Sequence, residues 1–136
     1  MSDLTMNDYP TTNAQQTTKK LVRSKVPAMY SRKNKVPVKI QYTEGRELLT
    51  SLRDKLVEET TEFWEAVSAP IENVSDYEAA LEELADILQV AATLMGKTEL
   101  QIMMQDALGV MEEKCQRLGD YSEGILMEVE QCSAIS

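Results

Sequence analysis

The chain has 136 residues, a length typical of a single domain, and 43% of them are hydrophobic, which is enough to form a packed core. Its polar N-terminal segment and its lack of any run of about 18 apolar residues argue against a secretory signal and a membrane span. The net charge of −9 disfavours nucleic-acid binding, and two cysteines are too few for a disulfide scaffold. We therefore expect a cytoplasmic protein that binds neither nucleic-acid polymers nor membranes.

The charge is distributed unevenly along the chain. Residues 1–43 contain eight Lys and Arg against two Asp and Glu, whereas residues 44–113 contain four against seventeen. The first segment therefore carries a charge of +6 and the second a charge of −13. An acidic body of this kind attracts cations. Because the chain contains no histidine, any metal site should use oxygen ligands, which suit Mg²⁺, Mn²⁺ or Ca²⁺.

The N-terminal part of the sequence predicts two segments. Residues 1–18 are rich in Thr, Asn and Gln and are predicted to form a disordered tail, so that the domain occupies residues 19–136. Residues 19–42 are basic and contain Pro27 and Pro37. Apolar and other residue types alternate towards the end of this segment, which predicts an extended basic arm with a short, irregular edge strand.

The first long helix is predicted over residues 44–69, because Pro70 cannot continue it. Its apolar residues recur at spacings of three and four, the period of a helix with one buried face. These residues are Leu49, Leu52, Leu56, Phe63 and Ala66. Glu59 falls in register with this apolar stripe, at a position where a hydrophobic residue is expected.

Two more helices are predicted, over residues 75–95 and 98–118. Ser75 and Glu78 have the spacing of a capping box, and the same signal starts the third helix at residue 98. Residues 87–95 are apolar on nearly every side of the second helix, which indicates packing against another subunit. The sequence therefore predicts an all-α, antiparallel helical bundle whose core is completed by homo-oligomerisation.

Two pairs of carboxylates stand out on the first two helices. Glu59 and Glu62 are three residues apart, as are Glu83 and Asp86, so each pair shares one face of its helix. Like charges at this spacing destabilise a helix, and all four residues lie on or beside the apolar stripes. An unpaired buried carboxylate is costly, and a bound divalent cation would remove that cost.

A non-catalytic reading explains much of the same sequence. Most acidic runs on helices are solvated faces, so the second hypothesis is an acidic helical module whose apolar second helix mediates oligomerisation. That alternative does not account for the matched spacing of the four carboxylates at the edges of the stripes. Metal-dependent thermal stabilisation would distinguish the two, since a solvated face responds weakly to a divalent cation.

Three sequence segments together resemble a known superfamily. The first is Glu58-Glu59-x-x-Glu62 followed by Glu83-x-x-Asp86, and the second is the opening Lys20-Leu21-Val22-Arg23-Ser24-Lys25-Val26-Pro27. The third is the closing set Lys114, Arg117, Gly119, Tyr121 and Gly124-Ile125. Over residues 19–126 the chain resembles the all-α NTP pyrophosphatases, which include MazG-like and phosphoribosyl-ATP pyrophosphohydrolase-like proteins. Ser24 stands where those proteins usually have Asp.

The resemblance implies a MazG-like helical bundle that forms a homodimer or a homotetramer. It implies hydrolysis of the α–β phosphoanhydride of a nucleoside triphosphate to a nucleoside monophosphate and pyrophosphate, with phosphoribosyl-ATP as the rival substrate. The implied metal is Mg²⁺ or Mn²⁺, held by Glu59, Glu62, Glu83 and Asp86. Glu58 and Glu59 are the candidate catalytic residues. The candidate substrate-binding residues are Lys114, Arg117, Arg23 and Lys25.

Overall fold

The computed structural model describes residues 19–130, and all regular secondary structure in that range is α-helical. The helices are α1 (Val26–Asn34), α2 (Gly45–Val67), α3 (Val74–Leu94) and α4 (Leu100–Leu118). The predicted all-α class is therefore confirmed. The predicted tail at residues 1–18 lies outside the described residues. None of these four helices combines the length and the apolarity that a bilayer crossing requires.

The chain forms two compact units, which divide between Gly96 and Lys97. The first unit contains α1, α2 and α3, and the second contains α4. Within the first unit, α2 packs against α3. A short connection, residues 68–73, joins these two helices, so they form a helical hairpin.

The core of the hairpin is small and is made partly of alanine. Leu52 of α2 is buried, as are Ala80, Val90 and Ala92 of α3. Leu52 belongs to the apolar stripe of α2, and the stripe also buries Glu59 as the spacing predicts. Because the distance between packed helices depends on the side chains at the contact, the buried alanines allow α2 and α3 to approach closely.

Helix α1 was not predicted, and the prediction of an edge strand was wrong. Pro27 lies in the first turn of α1, where a helix loses nothing by the missing N–H group of proline. Lys35 ends this helix with a left-handed backbone conformation (φ 54°). Residues 36–44 have no strand pairing in the described chain. The predicted extended arm rested on the alternation of residues towards the end of the basic segment, which follows α1, whereas Pro27 suits a helix start.

The predicted N-cap of α3 was two residues late. Asn73, not Ser75, is the N-cap, and its side chain accepts a hydrogen bond from the backbone N–H of Asp76 at 2.9 Å. The Asp76 carboxylate in turn accepts from the backbone N–H of Glu72 at 3.1 Å. The first bond satisfies an N–H group that the first turn of the helix leaves free, and the second ties the residue before the N-cap to that turn. The start of α4 at Leu100 has no side-chain cap.

We predict that Asn73→Ala lowers the melting temperature by about 4 °C, because losing a helix cap costs about 1 kcal/mol. Asn73→Asp is the matched control, since a carboxylate accepts the same hydrogen bond, and it should melt close to the wild type. Thermal unfolding followed by circular dichroism measures the difference. Equal losses in the two variants would contradict the role of the cap.

Candidate metal centre

The hairpin brings carboxylates from α2 and α3 together. Ligand oxygens of Glu58, Glu59 and Glu62 lie within 4.8 Å of one another, and so do those of Glu59, Glu83 and Asp86. We call these five residues the acidic cluster. Glu59 belongs to both groups, so the predicted pairs on the two helices meet at this one side chain. One helix hairpin thus concentrates five carboxylates in a small volume.

Two oxygens of the acidic cluster are buried without a partner. Glu59 is only 6% exposed, and its Oε2 atom has no hydrogen-bond partner among the described residues. The Oε2 atom of Glu83 is also buried and has no hydrogen-bond partner among the described residues. Leaving a buried carboxylate oxygen unsatisfied costs a few kcal/mol. Oxygen-only donors at this spacing suit a hard divalent cation such as Mg²⁺ or Mn²⁺, so the side chains fit the metal that the sequence predicts.

Burial and mutual repulsion affect the protonation of the inner carboxylates. Burial raises the pKa of Glu59, and the charges of Asp86 and Glu62 raise it further. Lys55 opposes this shift from 3.5 Å, measured from its Nζ atom to Oε1 of Glu59. Burial also raises the pKa of Glu83, followed by the neighbouring carboxyl group of Glu62. Both residues therefore favour a bound proton or cation over an isolated negative charge.

Glu58 lies at the outer edge of the cluster and behaves differently. Partial burial alone would raise its pKa, but Lys55 and Lys20 outweigh burial, and the pKa is lowered. The Nζ atoms of both lysines are 3.4 Å from Oε2 of Glu58. Lys55 lies on the same helix as Glu58 and pairs with it, whereas Arg53 pairs with Asp54. Glu58 is therefore held as an anion beside the inner carboxylates.

The structure places Arg23 of the basic arm directly on the cluster. Its Nη2 atom donates to Oδ1 of Asp86 at 2.6 Å. Both side chains are partly exposed. Lys25 is also exposed and lies at the N-cap position of α1. Of the two candidate phosphate ligands on the arm, Arg23 is the one with a contact in the acidic cluster.

The other two candidate phosphate ligands lie on α4, in the second compact unit. Arg117 makes a two-point contact with Glu113: its Nε atom is 2.7 Å from Oε2, and its Nη2 atom is 3.3 Å from Oε1. Lys114 is exposed. A role for Lys114 and Arg117 in binding substrate stays a prediction.

Two cations of the site, Lys55 and Lys20, were not among the predicted site residues. Lys55 contacts both Glu58 and Glu59 from positions three and four residues earlier, a spacing that places side chains on one helix face. That spacing was visible in the sequence. Lys20 reaches Glu58 across 38 residues of chain, and no local pattern indicates such a contact.

Comparison with known proteins identifies the family. The model of the MazG nucleotide pyrophosphohydrolase domain matches residues 48–119, so this chain belongs to the MazG family of all-α nucleotide pyrophosphohydrolase domains. No curated protein and no solved structure matches the chain significantly. The matched region includes all five residues of the acidic cluster and most of the three longer helices. The basic arm lies before it.

We predict that Glu59→Gln raises the melting temperature of the metal-free protein by about 4 °C, since it removes a buried charge at nearly constant volume. The control is Glu65→Gln, which removes an exposed charge from the same helix and should change the melting temperature little. Melting curves recorded in excess chelator test this. A lower melting temperature for Glu59→Gln would show that the charge is well accommodated without a cation.

Proposed function

We propose that this protein hydrolyses the α–β phosphoanhydride of a nucleoside triphosphate, with Mg²⁺ or Mn²⁺, to give a nucleoside monophosphate and pyrophosphate. The observation that carries the proposal is the acidic cluster, in which the buried Glu59 belongs to both groups of carboxylates. Membership of the MazG family supports pyrophosphohydrolase activity in general. The charge and donor chemistry of the cluster support metal dependence.

The inner carboxylates are the proposed metal ligands: Glu59, Glu62, Glu83 and Asp86. A bound divalent cation would neutralise substrate phosphates and make water more acidic, which supplies a nucleophile without any histidine. The four carboxylates would hold the cation in a fixed place between α2 and α3. Without a compensating cation, the acidic body of residues 44–113 would repel a nucleotide.

Glu58 is proposed to orient the attacking water. Its carboxylate is half-buried at the edge of the cluster, and Lys55 and Lys20 keep it ionised, so it accepts hydrogen bonds. The water oxygen forms a bond to the α-phosphorus while the bond from the α-phosphorus to the bridging oxygen breaks. Pyrophosphate leaves with that oxygen, and the proton of the water passes to an acceptor such as Glu58. Catalysis of this type depends mainly on positioning and charge.

Four cations are proposed to bind the phosphates of the substrate: Arg23, Lys25, Lys114 and Arg117. The contact of Arg23 with Asp86 supports its inclusion, because it places a guanidinium at the cluster. The roles of the α4 pair rest on the family resemblance. We propose a nucleoside triphosphate over phosphoribosyl-ATP because the arm at residues 20–27 resembles that of stand-alone superfamily members.

The test is release of pyrophosphate from a panel of nucleoside triphosphates with Mg²⁺ and then Mn²⁺. We expect Glu59→Ala, Glu83→Ala and Asp86→Ala each to lower the rate by at least about a hundredfold, because each removes a ligand of the charge that stabilises the reacting phosphates. Chelation should abolish turnover of the wild type.

Glu82→Ala is the matched control for these variants. Glu82 precedes Glu83 on α3, is exposed, and belongs to neither carboxylate group. Its variant should keep nearly the wild-type rate. Circular dichroism should show unchanged helix content throughout. Wild-type turnover that survives strong chelation, or full activity in Glu83→Ala, would refute the proposal.

We also propose that the protein forms a homodimer or a homotetramer and that residues 19–136 are one domain. The family match runs across the division at Gly96, which supports a single domain. Within the described chain α4 has no buried residue. Its exposed large apolar side chains include Ile102, Leu108, Val110, Met111 and Leu118. Apolar surface of this extent usually marks an interface.

Sedimentation equilibrium tests the assembly. We expect wild-type protein at micromolar concentration to show two or four times the monomer mass, and the double variant Leu108→Asp, Met111→Asp to shift towards monomer because charges enter an apolar contact. Tyr42→Asp introduces a charge at an exposed position outside the helices and serves as control. A monomeric wild type would contradict this part of the proposal.

A further inference from the structure

The carboxylate of Asp86 takes part in two arrangements, an ion pair with Arg23 and one of the two carboxylate groups of the acidic cluster. Asp86 accepts a hydrogen bond from Arg23 at 2.6 Å, and it also belongs to the group formed with Glu59 and Glu83. A guanidinium and a divalent cation at the same carboxylate repel each other strongly, because both are positive and they would lie only a few ångströms apart. Occupation of the acidic cluster by a divalent cation and pairing of Arg23 with Asp86 therefore oppose each other.

The ion pair between Arg23 and Asp86 is partly exposed to solvent, so each residue can exchange the other for a new partner. The side chain of Arg23 is 57% exposed and that of Asp86 is 35% exposed, and ion pairs with this much solvent contact contribute little to stability. A divalent cation bound by several carboxylates at once would bind Asp86 more strongly than Arg23 does. Arg23 lies before α1 in a non-helical segment, so its side chain can change partner without disrupting a helix.

The surrounding arm keeps Arg23 near the cluster after such an exchange. Leu21 and Pro27 on either side of it are half-buried, and Lys20 contacts Glu58 at 3.4 Å. A guanidinium displaced from Asp86 therefore stays within side-chain reach of whatever binds at the cluster. Its planar set of N–H donors matches the oxygens of a phosphate group.

We infer that Arg23 exchanges partners as the site fills: it pairs with Asp86 while the cluster lacks a divalent cation, and binds a phosphate of the nucleotide once a cation occupies Asp86. The inference rests on the proposed function, since it needs both the cation and the nucleotide. It adds that Arg23 weakens cation binding in the absence of nucleotide and strengthens nucleotide binding in its presence. One residue then couples the two binding steps, and the coupling is reciprocal.

The experiment measures Mn²⁺ affinity without nucleotide, from the electron paramagnetic resonance signal of the free ion. Arg23→Gln should bind Mn²⁺ roughly fivefold more tightly than the wild type, because a competing positive charge is gone. Arg23→Lys keeps that charge and should stay near the wild-type affinity. Arg32→Gln removes a charge of the same arm from an exposed position on α1 and should also match the wild type.

The second measurement is the nucleotide dependence of pyrophosphate release. Arg23→Gln should raise KM about tenfold, since a charge-assisted hydrogen bond to phosphate is lost, whereas Arg32→Gln should not. The opposite signs of the two effects, tighter cation binding and weaker nucleotide binding, separate this role from a purely structural one. Both substitutions are at exposed positions, and circular dichroism verifies that the variants fold.

Two results would overturn the inference and differ in what they leave standing. If the wild type binds Mn²⁺ but Arg23→Gln binds it equally or more weakly, Arg23 instead supports Asp86 as a ligand, and the proposed function survives. If the wild type binds no Mn²⁺ at millimolar concentration, the proposed metal-dependent function fails and this inference fails with it.

Discussion

The main constraint on the first unit is the mutual repulsion of carboxylates held at the apolar contact between two helices. Packing of α2 on α3 brings Glu59, Glu62, Glu83 and Asp86 together, although each would be better solvated apart. Hydrophobic burial of the hairpin core opposes this repulsion. Lys55, Lys20 and Arg23 relieve part of it at the edges, but the buried oxygens of Glu59 and Glu83 have no partner in the described chain. A site of this kind gains most from a multivalent cation.

The three protein cations divide the cluster into an outer and an inner part. In the outer part, Lys55 and Lys20 contact Glu58 and balance the negative charge of its ionised carboxylate. Glu83 lies in the inner part, where burial and the neighbouring Glu62 raise its pKa. The hairpin therefore carries an ionised hydrogen-bond acceptor, Glu58, next to inner carboxylates that need a counter-ion. In the proposed mechanism these two properties have different roles, since Glu58 would position water and the inner carboxylates would concentrate positive charge.

The sequence predicted the parts of the molecule that follow from local periodicity. The stripe of α2 identified Glu59 as buried, and the spacing of three placed Glu83 beside Asp86. Helix α1 was missed because a proline in its first turn and a short length give a weak periodic signal. The contacts of Lys20 and Arg23 could not be predicted, since they join residues 38 and 63 positions apart and depend on how the arm lies on the hairpin. Local pattern fixes which face a residue occupies, whereas tertiary packing decides its distant partners.

The small residues of the hairpin core have a consequence for the chemistry. Ala92 is completely buried and Ala80 nearly so, and Ala80 lies one helical turn before Glu83. These methyl groups act as spacers that set the gap between the two helix backbones, and this gap sets how closely carboxylates on opposite helices can converge. A larger side chain at either alanine would increase the distance between carboxylates on opposite helices without contacting any of them. The spacing of the carboxylates is therefore encoded partly in residues with no polar atom in their side chains.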